Sequence, residues 1–471
     1  MASVQIEDFR AGLDRRKSII TAAPGTLVDG WNVHITRGGE IEKRLAFVPS
    51  QALPATSRGL ASNSSSLFVF GPGPTPSFPP PYTYVTITHP TGRTLVRIVG
   101  VTMFRGLPYV LAAYDDGTVL HFYNGTIVPA WAPAGALAAF RATACCTLGS
   151  KVYVTADASL HFCQNDAPLL FATGVAGAGN IDLSTKYSGS EALTGVAVYI
   201  DRLAVYSATT TQVWVVDPDP LKNYLAQVLP NLGTLAGRSV VSYGDSDNFL
   251  LANTGVRNLR ARDQTNTAGS YDIGTPIDDL VNPLVSSLSA DAVTRATAVL
   301  EPVNSRFLLS IGTSVYVFSY FPSSKISAWT RYSVPAEIDS WAVIGRRLYA
   351  RSGTQVFLYG GATGSEYDTC VAEVVLPYLD AKAPGTVKTF GGVDMAISGR
   401  WDLEIGFNPE PPYARELIGR FNKATFGMGR VGGSIGQGTH FSARLVSQDA
   451  APATLSSFLM HFTMVDEKNQ E

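Results

Sequence analysis

The sequence predicts an all-β protein: a β-propeller of about six or seven blades, with an N-terminal arm before it and a C-terminal β-sandwich domain after it. Three observations predict this: a strand-and-turn composition, a hairpin phrase that returns six times, and a change to longer strands near residue 370. The chain has 471 residues, which suggests two or three domains. Hydrophobic residues make up 45% and charged residues only 16%, the latter well below the usual quarter or so. Gly (44), Pro (28), Tyr (20) and Phe (22) are abundant, as short strands joined by many turns require.

The first stretch with a pattern of its own is the arm, residues 1–58. Phe9-Arg10-Ala11-Gly12-Leu13-Asp14 is followed by Ala23-Pro24-Gly25-Thr26-Leu27, by Asn32, and by Gly38-Gly39-Glu40-Ile41-Glu42-Lys43-Arg44. Glycine turns and a Pro-Gly corner punctuate short apolar runs. By themselves they describe an extended segment that packs along a β structure, with no catalytic constellation.

The propeller is expected over residues 59–369. A strand Leu67–Phe70 opens it, and Gly71-Pro72-Gly73-Pro74-Thr75-Pro76 with Pro79-Pro80-Pro81 predicts a semi-rigid loop, because proline removes a backbone donor. The phrase then begins: an apolar strand, a polar turn, and a second strand carrying aromatics. Its six copies start at Tyr109, Val152, Leu203, Phe249, Phe307 and Leu348, about 41 to 58 residues apart, and Leu67–Phe70 resembles half of a further copy. A two-stranded hairpin cannot bury its own apolar face and must stack on neighbours, so this period, with room for two more strands, predicts four-stranded blades. Thr275-Pro276-Ile277-Asp278-Asp279 predicts a short helix with Thr275 as its cap and Ile277, Leu280 and Val281 facing inward, and a second helix is expected over 290–296.

Residues 370–471 lack the phrase. Strands are expected over 371–375, 387–397, 401–407, 440–446 and 455–464, forming the sandwich, with a loose tail from Asp466.

Chemistry is scarce. Lys and Arg total 36 against 38 Asp and Glu, a formal charge of −2, whereas a protein that grips nucleic acid by its phosphates normally carries a basic excess. Six scattered histidines give no zinc spacing; His121 and His161 recur at equivalent places in two copies and read as blade packing. Gly427-Met428-Gly429-Arg430-Val431-Gly432 and Gly432-Gly433-Ser434-Ile435-Gly436 spell nucleotide and hydrolase motifs, but neither has the strand-to-helix context its chemistry needs. Asp115-Asp116-Gly117 is explained by a hairpin turn. No enzyme activity, metal or cofactor is therefore expected. Cys145, Cys146, Cys163 and Cys370 include no C-x-x-C, which suits a reducing compartment. No basic-then-apolar leader opens the sequence, and its most apolar stretch, 126–148, is broken by Pro129, Pro133 and Arg141; synthesis in the cytoplasm and no membrane span are expected.

Phe9, Gly12, Leu13, Asp14, Pro24, Gly25, Asn32, Gly38, Gly39, Glu40, Glu42, Lys43 and Arg44, together with Lys388–Asp394 and Gly438–Arg444, resemble the tail nozzle family of short-tailed bacteriophages, also called tail tubular or packaged-DNA stabilisation proteins. The resemblance covers about the first 48 residues closely and is architectural over the propeller. It implies a structural virion protein of the tail, made and assembled in the host bacterial cytoplasm. The implied assembly is a hexameric ring that continues the portal-adaptor as the lower tail tube. Double-stranded DNA would be retained and then pass through the lumen without sequence-specific binding, and tail fibres or tail-tip proteins would be further partners. A nearly neutral chain suits such a conduit. The competing expectation is a propeller-based carbohydrate-binding or glycan-degrading tail protein, which needs clustered carboxylates on one propeller face.

Overall fold

Seven β-sheets follow one another along the chain and close into a ring in the computed structural model, which describes residues 2–129, 141–171, 177–184, 191–244, 247–261, 268–334, 336–426 and 435–465. Blade 1 spans 60–86, blade 2 95–127, blade 3 142–182, blade 4 193–230, blade 5 241–271 and blade 6 297–333. Blade 7 takes three strands from 340–359 and its fourth from the arm, Phe47–Ala52. The six copies of the phrase are the second and third strands of blades 2 to 7, and Leu67–Gly71 is the second strand of blade 1. The motif at 427–432, residues 432–434 of the one at 432–436, and the tail at 466–471 lie outside the described residues, while Gly436 begins a β-strand.

Stacking builds the ring because each blade buries both faces against its neighbours. A separate hydrophobic cluster fills every seam: Phe70, Ile98 and Val110 between blades 1 and 2, for example, and Leu67, Val69 and Tyr349 between blades 7 and 1. Those two clusters, with the five between them, account for all seven seams of a closed circle. Residues of this size each contribute about 1.5–3 kcal/mol when fully buried. Blade 1 departs from the pattern. It has three strands, and its outer strand Tyr82–Thr86 runs parallel to Leu67–Gly71 because the proline-rich connection carries the chain back across the blade before it re-enters.

Two helices interrupt the strands between blades 5 and 6. They are α1 (Asp278–Ser287), preceded by a 3₁₀ turn at Thr275–Ile277, and α2 (Ala290–Thr294). Ile277 and Val281 are buried and Leu280 is partly buried in the seam between these blades. Thr275 differs from the cap that the sequence suggested. Its hydroxyl donates to the Asp272 carbonyl at 3.0 Å, and Ile277 occupies the cap position of α1 without a side-chain hydrogen bond. The 3₁₀ turn absorbs the Pro276 position and moves the α-helical start two residues along, to Asp278.

Beyond residue 370 two further sheets enclose one core. The first is centred on Lys388–Ser398 and Thr454–Met464, with Gly436–Gly438 at one edge. The second runs Asp29–Trp31, Ala372–Val375, Ser442–Ser447, Trp401–Gly406, Glu416–Phe421. Phe390, Met395, Leu403, Leu445, Phe458 and Met460 meet between them. The arm is part of this unit. Ala2–Ile6 and Ile41–Lys43 pair with opposite ends of Thr454–Met464, Val33–Ile35 pairs with Ile41–Lys43, and Asp29–Trp31 joins the second sheet to the outer strand of blade 6. Two-stranded contacts alone would be marginal, so these arm strands are stable because both partners are already ordered.

Phe47 shows how closely the arm is built into the ring. It lies in the seam between blades 6 and 7 with its ring centroid 5.0 Å from Tyr359 and 6.4 Å from Trp341. Phe47→Ala is expected to cost about 3–5 kcal/mol, measured as a lowered denaturant midpoint with an unchanged slope.

Candidate functional site

The arm's signature residues converge on the junction between blade 6 and the C-terminal sheets. Gly12 and Gly25 set its path. Gly12 has φ +58°, and a Cβ there would sit 2.7 Å from the Trp329 carbonyl oxygen, while Gly25 has φ +82° and its Cβ would meet the Asp8 carbonyl oxygen at 2.0 Å. Only glycine fits either place. Between them Leu13 enters the seam of blades 5 and 6 beside Trp329, and Phe9 enters the C-terminal core. The Asp14 carboxylate accepts from the Arg16 backbone N–H, Nε and Nη2 at 3.1, 2.9 and 2.6 Å, which holds its pKa below the ordinary value. Pro24 and Gly38 are exposed at corners. The buried Gly39 turns the chain between two strands with φ +87° and accepts from the Phe9 N–H at 3.1 Å.

Asn32 is the centre of the junction. Its backbone is left-handed, φ +53°, and its side chain is buried. Oδ1 accepts from Arg44 Nε at 2.9 Å and from the Ser333 N–H at 3.0 Å, while Nδ2 donates to Ser333 Oγ at 2.9 Å and to the Val371 carbonyl at 2.8 Å. One amide thus joins the arm, blade 6 and the first residues of the C-terminal unit. Arg44, also buried, donates to the Leu45 carbonyl at 2.7 Å and to Asp368 Oδ2 at 2.9 Å, and stacks over Phe47 at 5.2 Å. Burial raises the Asp368 carboxyl, but hydrogen bonding from Cys370 and the charge of Arg44 outweigh it, so its pKa falls below the usual carboxylate range.

Buried polar groups continue on both sides. His34 sits between the Tyr332 hydroxyl (Nδ1, 2.8 Å) and Glu42 (Nε2, 3.2 Å). Burial, aided by Arg306, pulls the His34 pKa down to about 4 against the opposing pull of Glu42. The hydrogen bond from His34 lowers that of Glu42. A neutral imidazole facing a carboxylate must donate from Nε2, so Nδ1 accepts from Tyr332. Lys43, fully buried, donates from Nζ to the Asp449 carbonyl at 2.7 Å, and Glu40 accepts from Ser456 at 2.6 Å. The structure thus brings much of the signature together as a joint in which Asn32, His34, Lys43 and Arg44 each bond to buried or part-buried partners.

Several partners carried no sequence signal. Asp29 forms a two-point ion pair with Arg331 (2.6 and 3.1 Å), Trp31 lies 3.8 Å under the same guanidinium, and Ser333 and Asp368 are more than 300 residues from Asn32 and Arg44 respectively. Only an alignment that revealed paired substitutions would expose such couplings. The histidines of blades 2 and 3 are both buried, with His121 bonded to the Tyr109 hydroxyl at 2.9 Å. Burial lowers the pKa to about 3 at His121 and about 4 at His161. Asp115 and Asp116 lie at a hairpin turn in which the Gly117 N–H donates to the Tyr114 carbonyl at 3.0 Å. All four cysteines are free thiols, and no group of three or more metal-ligating side chains gathers among the described residues.

No protein-family model matches the sequence, and neither does any curated protein. Solved structures match its shape. A chain of the "Crystal Structure of Mitotic Checkpoint Complex" is 12% identical with a TM-score of 0.38, covering 68% of this chain and 94% of its own. BamB from Moraxella catarrhalis is 12% identical with a TM-score of 0.34, over 68% and 98%. YCF48 bound to D1 peptide is 10% identical with a TM-score of 0.37, over 67% and 94%.

Two predictions follow from the geometry of the junction. Asn32→Ala leaves buried groups of Arg44, Ser333 and Val371 unmatched and places a Cβ residue with no side-chain compensation at positive φ, so a loss of at least about 3 kcal/mol is expected in chemical denaturation. Asn32→Gly should recover about 1 kcal/mol of that, the backbone share alone. The second concerns pH. His34, His121 and His161 all have folded pKa values below the unfolded value of about 6.5, so the unfolded state binds more protons. Their stabilisation is present above about pH 6.5 and is lost as pH falls towards 4. Calorimetry should show a melting temperature that drops through that window and proton uptake on unfolding at pH 5.

Proposed function

We propose that this chain is a structural virion protein that forms the nozzle of a short-tailed phage: a six-membered ring around the DNA exit channel that retains the packaged genome and conducts it at infection. The observation that carries the proposal is the arm. Among the residues that resemble the nozzle family, Phe9, Leu13, Asn32 and Arg44 bind the arm between blade 6 and the C-terminal sheets. A signature of turn glycines and buried matched polar groups suits a part whose work is mechanical. A tube subunit must transmit load between its ends without its two units separating, and the interwoven arm supplies that coupling through backbone pairing and buried charge.

The near balance of charge supports the same reading. A lumen that grips phosphates would slow ejection, because each neutralised phosphate adds to affinity through counterion release. A closed ring of identical copies also requires heterologous interfaces, in which one surface of the subunit meets a different one. Portal-adaptor proteins would seat one end and tail-fibre or tip proteins the other.

Antibody raised against this chain should label purified virions at the axial tip of the tail. Label on the capsid shell or on side fibres, with none on the axis, would contradict the proposal.

A further inference from the structure

A cavity of about 880 Å³ lies at one end of the propeller axis. Its place follows from what lines it: Gly59, Ile98, Thr143, Thr194, Gly237 and Ser340 come from the start of, or the lead into, the innermost strands of six blades, and α2, which leads into blade 6, supplies the seventh side. The volume is that of a small-ligand site and far too small for a nucleic-acid duplex.

The charge around it is one-sided. Six arginines line it, at positions 58, 97, 141, 238, 295 and 351, against Asp291, Glu337 and Asp339, an excess of three positive charges. Each carboxylate already faces an arginine: Arg97–Asp291 at 3.1 Å, Arg295–Glu337 at 3.7 Å, and Arg351 with Asp339. Arg238 has no carboxylate in contact among the described residues. It donates to the Asp339 and Ile98 carbonyls at 2.6 and 3.4 Å and to Ser340 Oγ at 3.2 Å, so its charge is held in place by neutral oxygens. Burial lowers its pKa, and the charges of Arg351 and Arg97 act in the same direction against the attraction of Asp339. Arg141 is exposed and has no ion-pair partner among the described residues.

We propose that the axial cavity binds a compact multivalent oxyanion, a ligand carrying two or more phosphate or carboxylate groups, held by Arg97, Arg141 and Arg238. Fork-shaped guanidinium donors suit planar or tetrahedral oxyanions, and the low-dielectric walls strengthen the attraction. The proposal stands independently of the tail role.

Isothermal titration of the intact protein at low salt, with tripolyphosphate and separately with citrate, tests it. Saturable 1:1 binding of at least one probe is expected, weakening as salt rises. Binding of tripolyphosphate alone would assign phosphate groups, and binding of citrate alone would assign carboxylates. The double variant Arg97→Ala/Arg141→Ala should weaken binding by about tenfold or more. Arg420→Ala, an exposed arginine of the C-terminal unit, should leave it unchanged. Failure of both probes to bind at millimolar concentration would overturn the proposal, as would equal weakening by Arg420→Ala.

Discussion

The Asn32 side chain, with Arg44 beside it, is the contact on which the rest of the structure depends. Through a single buried amide, the arm is fastened to blade 6 at Ser333 and to the C-terminal unit at Val371. Immediately after Arg44 the same strand of chain becomes the outer strand of blade 7 and completes the ring. Two structural tasks that most proteins keep apart, closing the propeller and attaching a second unit, therefore fall on fewer than 30 consecutive residues. Removing one partner from such a network exposes the others to their full desolvation cost, so the joint is either complete or failing.

Much of the fold was legible because one physical requirement writes itself into sequence. The second and third strands of a blade are buried on both faces between neighbours, so Leu203–Tyr206 or Phe307–Ser310 had to be almost wholly apolar. The tight hairpin between them needed Gly or polar turn residues. First strands line the axis and fourth strands meet solvent. Segments such as Val241–Tyr243, Gly179–Asp182 and Tyr224–Pro230 carry mixed or half-exposed residues and left no comparable trace. Phe47–Ala52 was invisible as a blade strand for another reason: its partner, Gln355–Tyr359, lies some 300 residues away, and nothing local records the pairing. The edge strands Glu416–Phe421 and Gly436–Gly438 escaped notice for want of apolar alternation.

The candidate joint was half legible. Glycines at 12 and 25 were recognisable as turn positions, although only the close approach of the Trp329 and Asp8 carbonyls explains why nothing larger fits. The acid–base run Glu40–Arg44 carried no local sign of burial, yet Lys43 and Arg44 are buried and matched to backbone and carboxylate oxygens. The axial arginines gave no sequence signal at all, because they come from separate blades and only the circular arrangement brings them together.

The central functional claim is assembly into an axial ring. Single-particle imaging of the full chain mixed with the portal-adaptor protein proposed as its partner tests it most directly. The account predicts a complex in which six copies sit coaxially on the adaptor, with different faces of neighbouring subunits in contact. A chain that remains monomeric and does not associate with the adaptor would contradict it.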